Sequence, residues 1–134
     1  MSSETQHIAH VGSVFVPVRD QDAALAFYRD SLGFEVRSDD AFGDGYRWIE
    51  VAPPGAQTAV ALTEPMESGP QPGGDVGFGY ETDDIDAAVA SLTAKGVEFE
   101  EILRMPPPVP PMAYFRDVDG NRMLLVQRGA EVTR

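Results

Sequence analysis

The sequence predicts an α+β fold: two tandem βαβββ modules forming a curved mixed sheet around a concave cavity. Three observations carry that prediction. Residues 22–26 (Asp-Ala-Ala-Leu-Ala) recur as residues 86–90 (Asp-Ala-Ala-Val-Ala), and residues 33–36 (Gly-Phe-Glu-Val) recur as residues 96–99 (Gly-Val-Glu-Phe). Around both pairs the hydrophobic pattern runs strand, helix, strand, strand, strand, with an acidic residue before the helix and a glycine after it. The chain has 134 residues, 43% of them hydrophobic, which suits one packed domain and excludes wholesale disorder. The expected domain is residues 1–134, with module one at about 8–64, a linker at 65–75 and module two at about 76–128.

Each element has its own signal. Residues 11–18 are rich in β-branched and aromatic side chains and read as a strand, with Pro17 placing it at an edge or near the strand's end. Asp20 caps a helix over residues 21–31, whose Leu25, Tyr28 and Leu32 share one face; Gly33 stops it. Residues 34–37 read as a strand, residues 39–45 as a loop, and residues 46–51 and 58–63 as two more strands. Three prolines and three glycines in residues 64–74 make a linker. In the second half, residues 76–81 form a strand, and Asp83 or Asp84 caps a helix over residues 85–95 with Ile85, Val89 and Leu92 as its apolar stripe. Gly96 ends it. Residues 97–103, 112–116 and 123–127 are strands, with a turn at 117–120 and a frayed tail from Gly129.

Composition narrows the function. Ten Lys and Arg face 22 Asp and Glu, a formal charge of −12, which argues against nucleic-acid phosphates and anionic membranes and is compatible with a basic small ligand. There is no cysteine, so disulfides, thiolate metal sites and a Cys nucleophile are excluded. No apolar run approaches the roughly 18 residues of a membrane span, and residues 1–6 lack the apolar core of a secretory signal. The expected location is the cytoplasm. A four-stranded sheet with one helix has one uncovered face, and that concave face is the default small-molecule site.

Three motifs carry a family resemblance. Val18-Arg19-Asp20, Ala26-Phe27-Tyr28 and Leu32-Gly33-Phe34 resemble the opening of the vicinal oxygen chelate superfamily, which includes glyoxalases, extradiol dioxygenases and bleomycin-resistance proteins. Residues 115–121 (Phe-Arg-Asp-Val-Asp-Gly-Asn) are similar to its second signature, the turn before the last strand. The resemblance spans roughly residues 8–128 and implies the glyoxalase/bleomycin resistance/dioxygenase fold. It also implies a divalent metal held by His, Gln or Glu on four strands. Counted from the motifs, those positions are Ser13, Ala61, Gly77 and Leu124, none a usual ligand. The expectation is therefore no metal and no cofactor. His7 and His10 read as a tail and a strand-entry histidine, and Asp39, Asp40 and Asp44 lack calcium-loop spacing.

Strand alternation nominates the ligand-binding residues. Phe15 shares a face with Ser13. Trp48, Glu50 and Tyr46 share the opposite face from Ile49 and Val51. A Trp beside a carboxylate suits a flat, cationic or hydrogen-bonding ligand, or a dimer interface. No catalytic residue is fixed by the sequence; the candidates for acid–base chemistry are Glu50, a general base if burial raises its pKa, or a tyrosine. Gly77 and Gly79 let a ligand or an opposing sheet approach. Five prolines stiffen residues 104–112, which form a cavity wall or cover a sheet edge; Arg104 is positioned to grip an anion, and Met105 and Met112 supply adaptable apolar contact. Arg47 and Arg116 are alternative anion anchors, and of Tyr114 and Phe115, on opposite faces, Tyr114 is nominated for the cavity. No Ser-His-Asp triad or glycosidase carboxylate pair can be assembled.

Three functions follow. The first is a metal-independent binding protein that sequesters a small organic molecule, cationic or aromatic, in a dimeric groove, as the bleomycin-resistance branch does. The second is a glyoxalase- or dioxygenase-like lyase, isomerase or oxygenase with a non-standard metal site or acid–base chemistry. The third is a regulatory domain with no ligand. A homodimer is expected under each, with no nucleic acid and no membrane.

Overall fold

The computed structural model describes residues 7–129. Among the described residues, eight strands form two four-stranded mixed sheets, one from each half of the chain, and each half carries one helix. The N-terminal sheet has β1 (Ser13–Pro17), β2 (Glu35–Phe42), β3 (Tyr46–Ala52) and β4 (Ala59–Thr63) in the order β1-β4-β3-β2. The C-terminal sheet has β5 (Asp75–Thr82), β6 (Glu98–Phe99), β7 (Met112–Arg116) and β8 (Arg122–Gln127) in the order β5-β8-β7-β6. In each sheet the first and last strands of the module run parallel side by side, so each module closes the same way. β1 is an edge strand and Pro17 is its last residue, where a missing N–H costs no ladder bond. The sheets are separate hydrogen-bonded units, joined through a common core rather than by a ladder between β1 and β5.

The helices start where the capping residues dictate. The Asp20 carboxylate accepts from the N–H groups of Asp22 and Ala23 and starts α1 (Gln21–Ala26). Asp84, not Asp83, caps α2 (Ile85–Ala94) by accepting from Ala87 N–H, while Asp83 pairs with Arg128. The first helix runs on to Ser31, but Phe27–Ser31 is a wider π-helical turn in which Leu32 N–H donates to the Phe27 carbonyl five residues back. Gly33, at φ 79°, then takes the left-handed conformation that stops the helix.

Two stretches differ from expectation. β2 continues through residues 39–42 rather than giving way to a loop, because Asp39, Asp40 and Phe42 pair with Ile49, Trp48 and Tyr46 and Arg47 grips Asp39 at 2.8 Å. The strand expected at 97–103 shrinks to Glu98–Phe99 plus a lone bridge from Leu103 to Met112: Glu100 N–H still donates to the Tyr114 carbonyl, but the three steps from Glu100 to Leu103 face only two from Tyr114 to Met112, and the extra residue breaks the ladder.

The core lies between the sheets and under the helices. Val16, Ile49, Val51, Val60 and Leu62 from the first sheet meet Ala113, Phe115, Met123 and Leu125 from the second, with Leu25 and Tyr28 of the first helix and Ile85 of α2 among them. Within it lies one polar knot. The Tyr28 hydroxyl donates to Asp117 Oδ2 at 2.7 Å; Asn121 Nδ2 donates to the same oxygen and to the Pro17 carbonyl; the N–H groups of Asp119 and Asn121 donate to Asp117 Oδ1. The turn at 117–121 thus ties the last strand to the end of β1.

Burial, with the nearby Tyr80 and Asp117 as lesser causes, pushes the Tyr28 hydroxyl well above its ordinary pKa, and burial does the same to Tyr80. The folded values exceed the unfolded ones, so this stability is complete below about pH 10 and is lost as pH rises beyond it, at about 1.4 kcal/mol per phenol per pH unit. In an alkaline titration followed at 295 nm, Tyr28 and Tyr80 are expected to ionise only together with loss of the circular dichroism of the fold. Ionisation of all four tyrosines in one reversible step, with the fold intact, would refute this.

Candidate functional site

Alternation along β1, β3 and β4 divides the N-terminal sheet into a core face and an open face. Val14 and Val16 turn to the core. Phe15, 58% exposed, turns the other way, and its ring meets that of Trp48 edge-on, 5.7 Å between centroids. Phe42 and Tyr46, opposite each other at the end of the β2–β3 hairpin, stack at 5.5 Å and 23°. The turn between them is Gly43-Asp44-Gly45, and both glycines hold positive φ (58° and 82°), as so tight a hairpin requires. These four rings, with Arg47, Thr63 and the segment Glu64, Pro65, Met66 and Glu67 after β4, line an open cavity of about 560 Å³. That volume lies within the range of small-molecule pockets, and its walls are mostly apolar.

The charges at its rim are unequal. Arg47 also lines the cavity, with its guanidinium bound to Asp39 and Asp22 at 2.8 and 2.6 Å, which holds the Asp39 carboxyl below the usual carboxylate range. Glu64 and Glu67 form no ion pair among the described residues. The cavity therefore presents aromatic faces and uncompensated carboxylates, a combination that favours a planar or cationic guest.

The sequence-nominated residues fall into three places. Phe15, Trp48 and Glu50 share the open face of the N-terminal sheet; Glu50 is half-buried, opposite Ser38 and Ala61. Met112 and Tyr114 lie on the C-terminal sheet, facing Val126 and Leu124 across the ladder. There Tyr114 carries the Arg122 guanidinium 3.5 Å above its ring, beside a second hollow of about 350 Å³ floored by Gly77 and Gly79. Arg104 stands apart, paired with Asp86 of α2 at 2.6 Å. Arg116 lies within 3.8 Å of Glu100, and His7 and His10 are exposed outside the strands.

Phe42 and the wall from Glu64 to Glu67 went unnoticed in the sequence. The signal for Phe42 is the pair of aromatics flanking Gly-Asp-Gly, a hairpin pattern. For the wall no signal exists, since Pro and Gly specify a linker's stiffness and not the surface it lies on.

The sequence profile of the Glyoxalase/Bleomycin resistance protein/Dioxygenase superfamily matches residues 7–125. The chain belongs to this superfamily. A crystal structure of a superfamily member from Sphaerobacter thermophilus DSM 20745 is 42% identical, with a TM-score of 0.86 and coverage of 92% of this chain and 100% of that one. TnmS3, an antibiotic binding protein from Streptomyces sp. CB03234, is 36% identical, with a TM-score of 0.81 and coverage of 92% and 98%. An uncharacterized protein of Bacillus subtilis (strain 168), YetH, is 33% identical over 122 residues, 88% of this chain and 98% of that protein.

The metal common among the superfamily's enzymes does not fit these residues. At the four positions counted from the motifs, Ser13 offers one hydroxyl, and Ala61, Gly77 and Leu124 offer no side-chain donor. Ala61 is fully buried between neighbours on β1 and β3. Among the described residues no three His, Asp or Glu side chains converge anywhere else. Among the described residues, too, no helix is long and apolar enough to cross a membrane.

Proposed function

We propose that this chain is a metal-independent binding protein that sequesters a planar aromatic molecule bearing a basic group. The guest lies against Trp48 and Phe15 on the open face of the N-terminal sheet, with its cationic substituent toward Glu64 and Glu67. The observation that carries this reading is the cavity itself: three exposed aromatic rings, Phe15, Phe42 and Tyr46, stand with the half-buried Trp48 around one hollow, where a folded protein gains nothing by leaving them in water. The likeness to TnmS3, an antibiotic binding protein, supports a small-molecule guest. The homodimer expected from the sequence carries one such groove in each protomer.

The test uses the single tryptophan, Trp48, as reporter. Titration with daunorubicin, a planar aromatic antibiotic carrying a primary amine, is expected to quench Trp48 saturably, one ligand per chain, with a Kd of about 1 μM or tighter. Its neutral aglycone is expected to bind several-fold more weakly, and excess EDTA to change neither value. Quenching without saturation, or binding abolished by EDTA and restored by a divalent metal, would refute the proposal.

A further inference from the structure

Residues 64–74 join the two sheets, and their Pro and Gly content marks a passive connection. Their placement is not passive. The near end walls the aromatic cavity through Pro65 and Met66. The far end is anchored on both modules: Arg19 Nη2 of the first donates to the Pro72 carbonyl at 3.3 Å, and Gly73 N–H donates to Asn121 Oδ1 of the second at 2.8 Å. Between these points the segment is clasped from inside. The Met66 carbonyl accepts from Gly69 N–H at 3.1 Å and from Gln71 Nε2 at 2.8 Å, and Gln71 Nε2 also reaches the Gly69 carbonyl at 3.2 Å.

Met66 thus has a fixed backbone and a free side chain. Met66 is 73% exposed, more than any of the four aromatic residues beside it. An apolar arm on a held post, standing at the mouth of an aromatic cavity, contributes little to the free protein. It gains its burial only when something fills the cavity. Methionine suits that task, with three rotatable bonds and a polarisable sulfur that packs well on aromatic edges.

We infer that Met66 is the closing wall of the cavity, a specificity-determining residue that folds over the outer face of a bound planar aromatic molecule, while Gln71 is a positioning residue that holds its backbone. This rests on the binding reading above. Trp48 and Phe15 cover one face of the guest and leave the other in water; Met66 supplies the missing contact. The contact forms after encounter, so it acts on departure rather than arrival.

The experiment compares wild type, Met66→Ala, Met66→Leu and Gln71→Ala, with daunorubicin as probe and stopped-flow Trp48 fluorescence as readout. Met66→Ala is expected to raise koff about tenfold with kon changed less than about threefold, and Met66→Leu to stay within about threefold of wild type. Gln71→Ala is expected to raise koff by a smaller factor than Met66→Ala, because the post loosens while the arm remains. Thermal midpoints of both Met66 variants are expected to match wild type. Wild-type binding with an unchanged koff in Met66→Ala overturns this inference alone. A lowered midpoint that accounts for the weaker binding, or loss through kon, overturns it too. Failure of the wild type to bind overturns both this inference and the proposed function.

Discussion

Asp117→Ala is expected to lower the unfolding free energy by about 3–5 kcal/mol, the largest effect of any single polar substitution in this chain. Asp117 is 6% exposed, and its two oxygens accept four hydrogen bonds: from the Tyr28 hydroxyl, Asn121 Nδ2 and the N–H groups of Asp119 and Asn121. Alanine removes the acceptor and leaves four donors behind, two of them on Asn121, which is 1% exposed. The Asn121 N–H, shut off from water, costs more than its hydrogen bond contributed, whereas the Tyr28 hydroxyl and Asn121 Nδ2 keep Met123 Sδ and the Pro17 carbonyl as partners and the Asp119 N–H is only part-buried. A domain of this size has a total stability of about 5–15 kcal/mol, so the loss takes a large share of it. Tyr28→Phe removes one donor and leaves the other three satisfied; it is expected to cost only about 1 kcal/mol. The measurement is urea unfolding of the three proteins, with Asp83→Ala as a control that removes an exposed ion pair and leaves the midpoint in place. A midpoint for Asp117→Ala within error of Tyr28→Phe would show that the knot carries no special load.

The same knot shows why part of this fold is legible in the sequence and part is not. Strands β1, β3 and β4 alternate so regularly that the facing of Phe15, Trp48, Ile49 and Val51 follows from a period of two, and the structure keeps that facing. The helix starts follow from Asp20 and Asp84, because a cap acts on N–H groups two or three residues away. Tyr28 sits on the predicted apolar face of the first helix, but its hydroxyl partner lies on a turn in the other module, and no periodicity encodes so distant a pairing. Likewise Arg19 of the first family motif donates, through its backbone N–H and its guanidinium, to Asp119 of the second. The two signatures read separately in the sequence are one contact in space. Residues 39–42 looked like a loop because Asp and Gly weaken strand propensity; the ladder to β3 overrides that local preference.

Trp48→Ala is expected to weaken binding of a planar aromatic ligand by about 30- to 150-fold, the cost of removing a buried aromatic anchor from an interface. The argument starts from where the side chain spends its contacts. Trp48 is half-buried on the open face, and its ring partner is Phe15, itself more than half exposed. The core behind it is closed by Ile49 and Val51 on the same strand, both fully buried. Removing the indole therefore leaves the core intact, and the thermal midpoint is expected to fall only slightly. Binding and stability separate at this residue, as they cannot at Tyr28 or Asp117. Trp48→Phe keeps a ring at the site and is expected to retain most of the affinity, whereas Phe15→Ala loses the edge-on support that orients the indole and falls between the two. With the only tryptophan removed, the readout is calorimetry or the ligand's own fluorescence. If Trp48→Ala bound daunorubicin within threefold of wild type, the guest would not lie on this face. The hollow beside Tyr114 and Arg122 on the other sheet would then be the place to look, and Tyr114→Ala the variant that decides it.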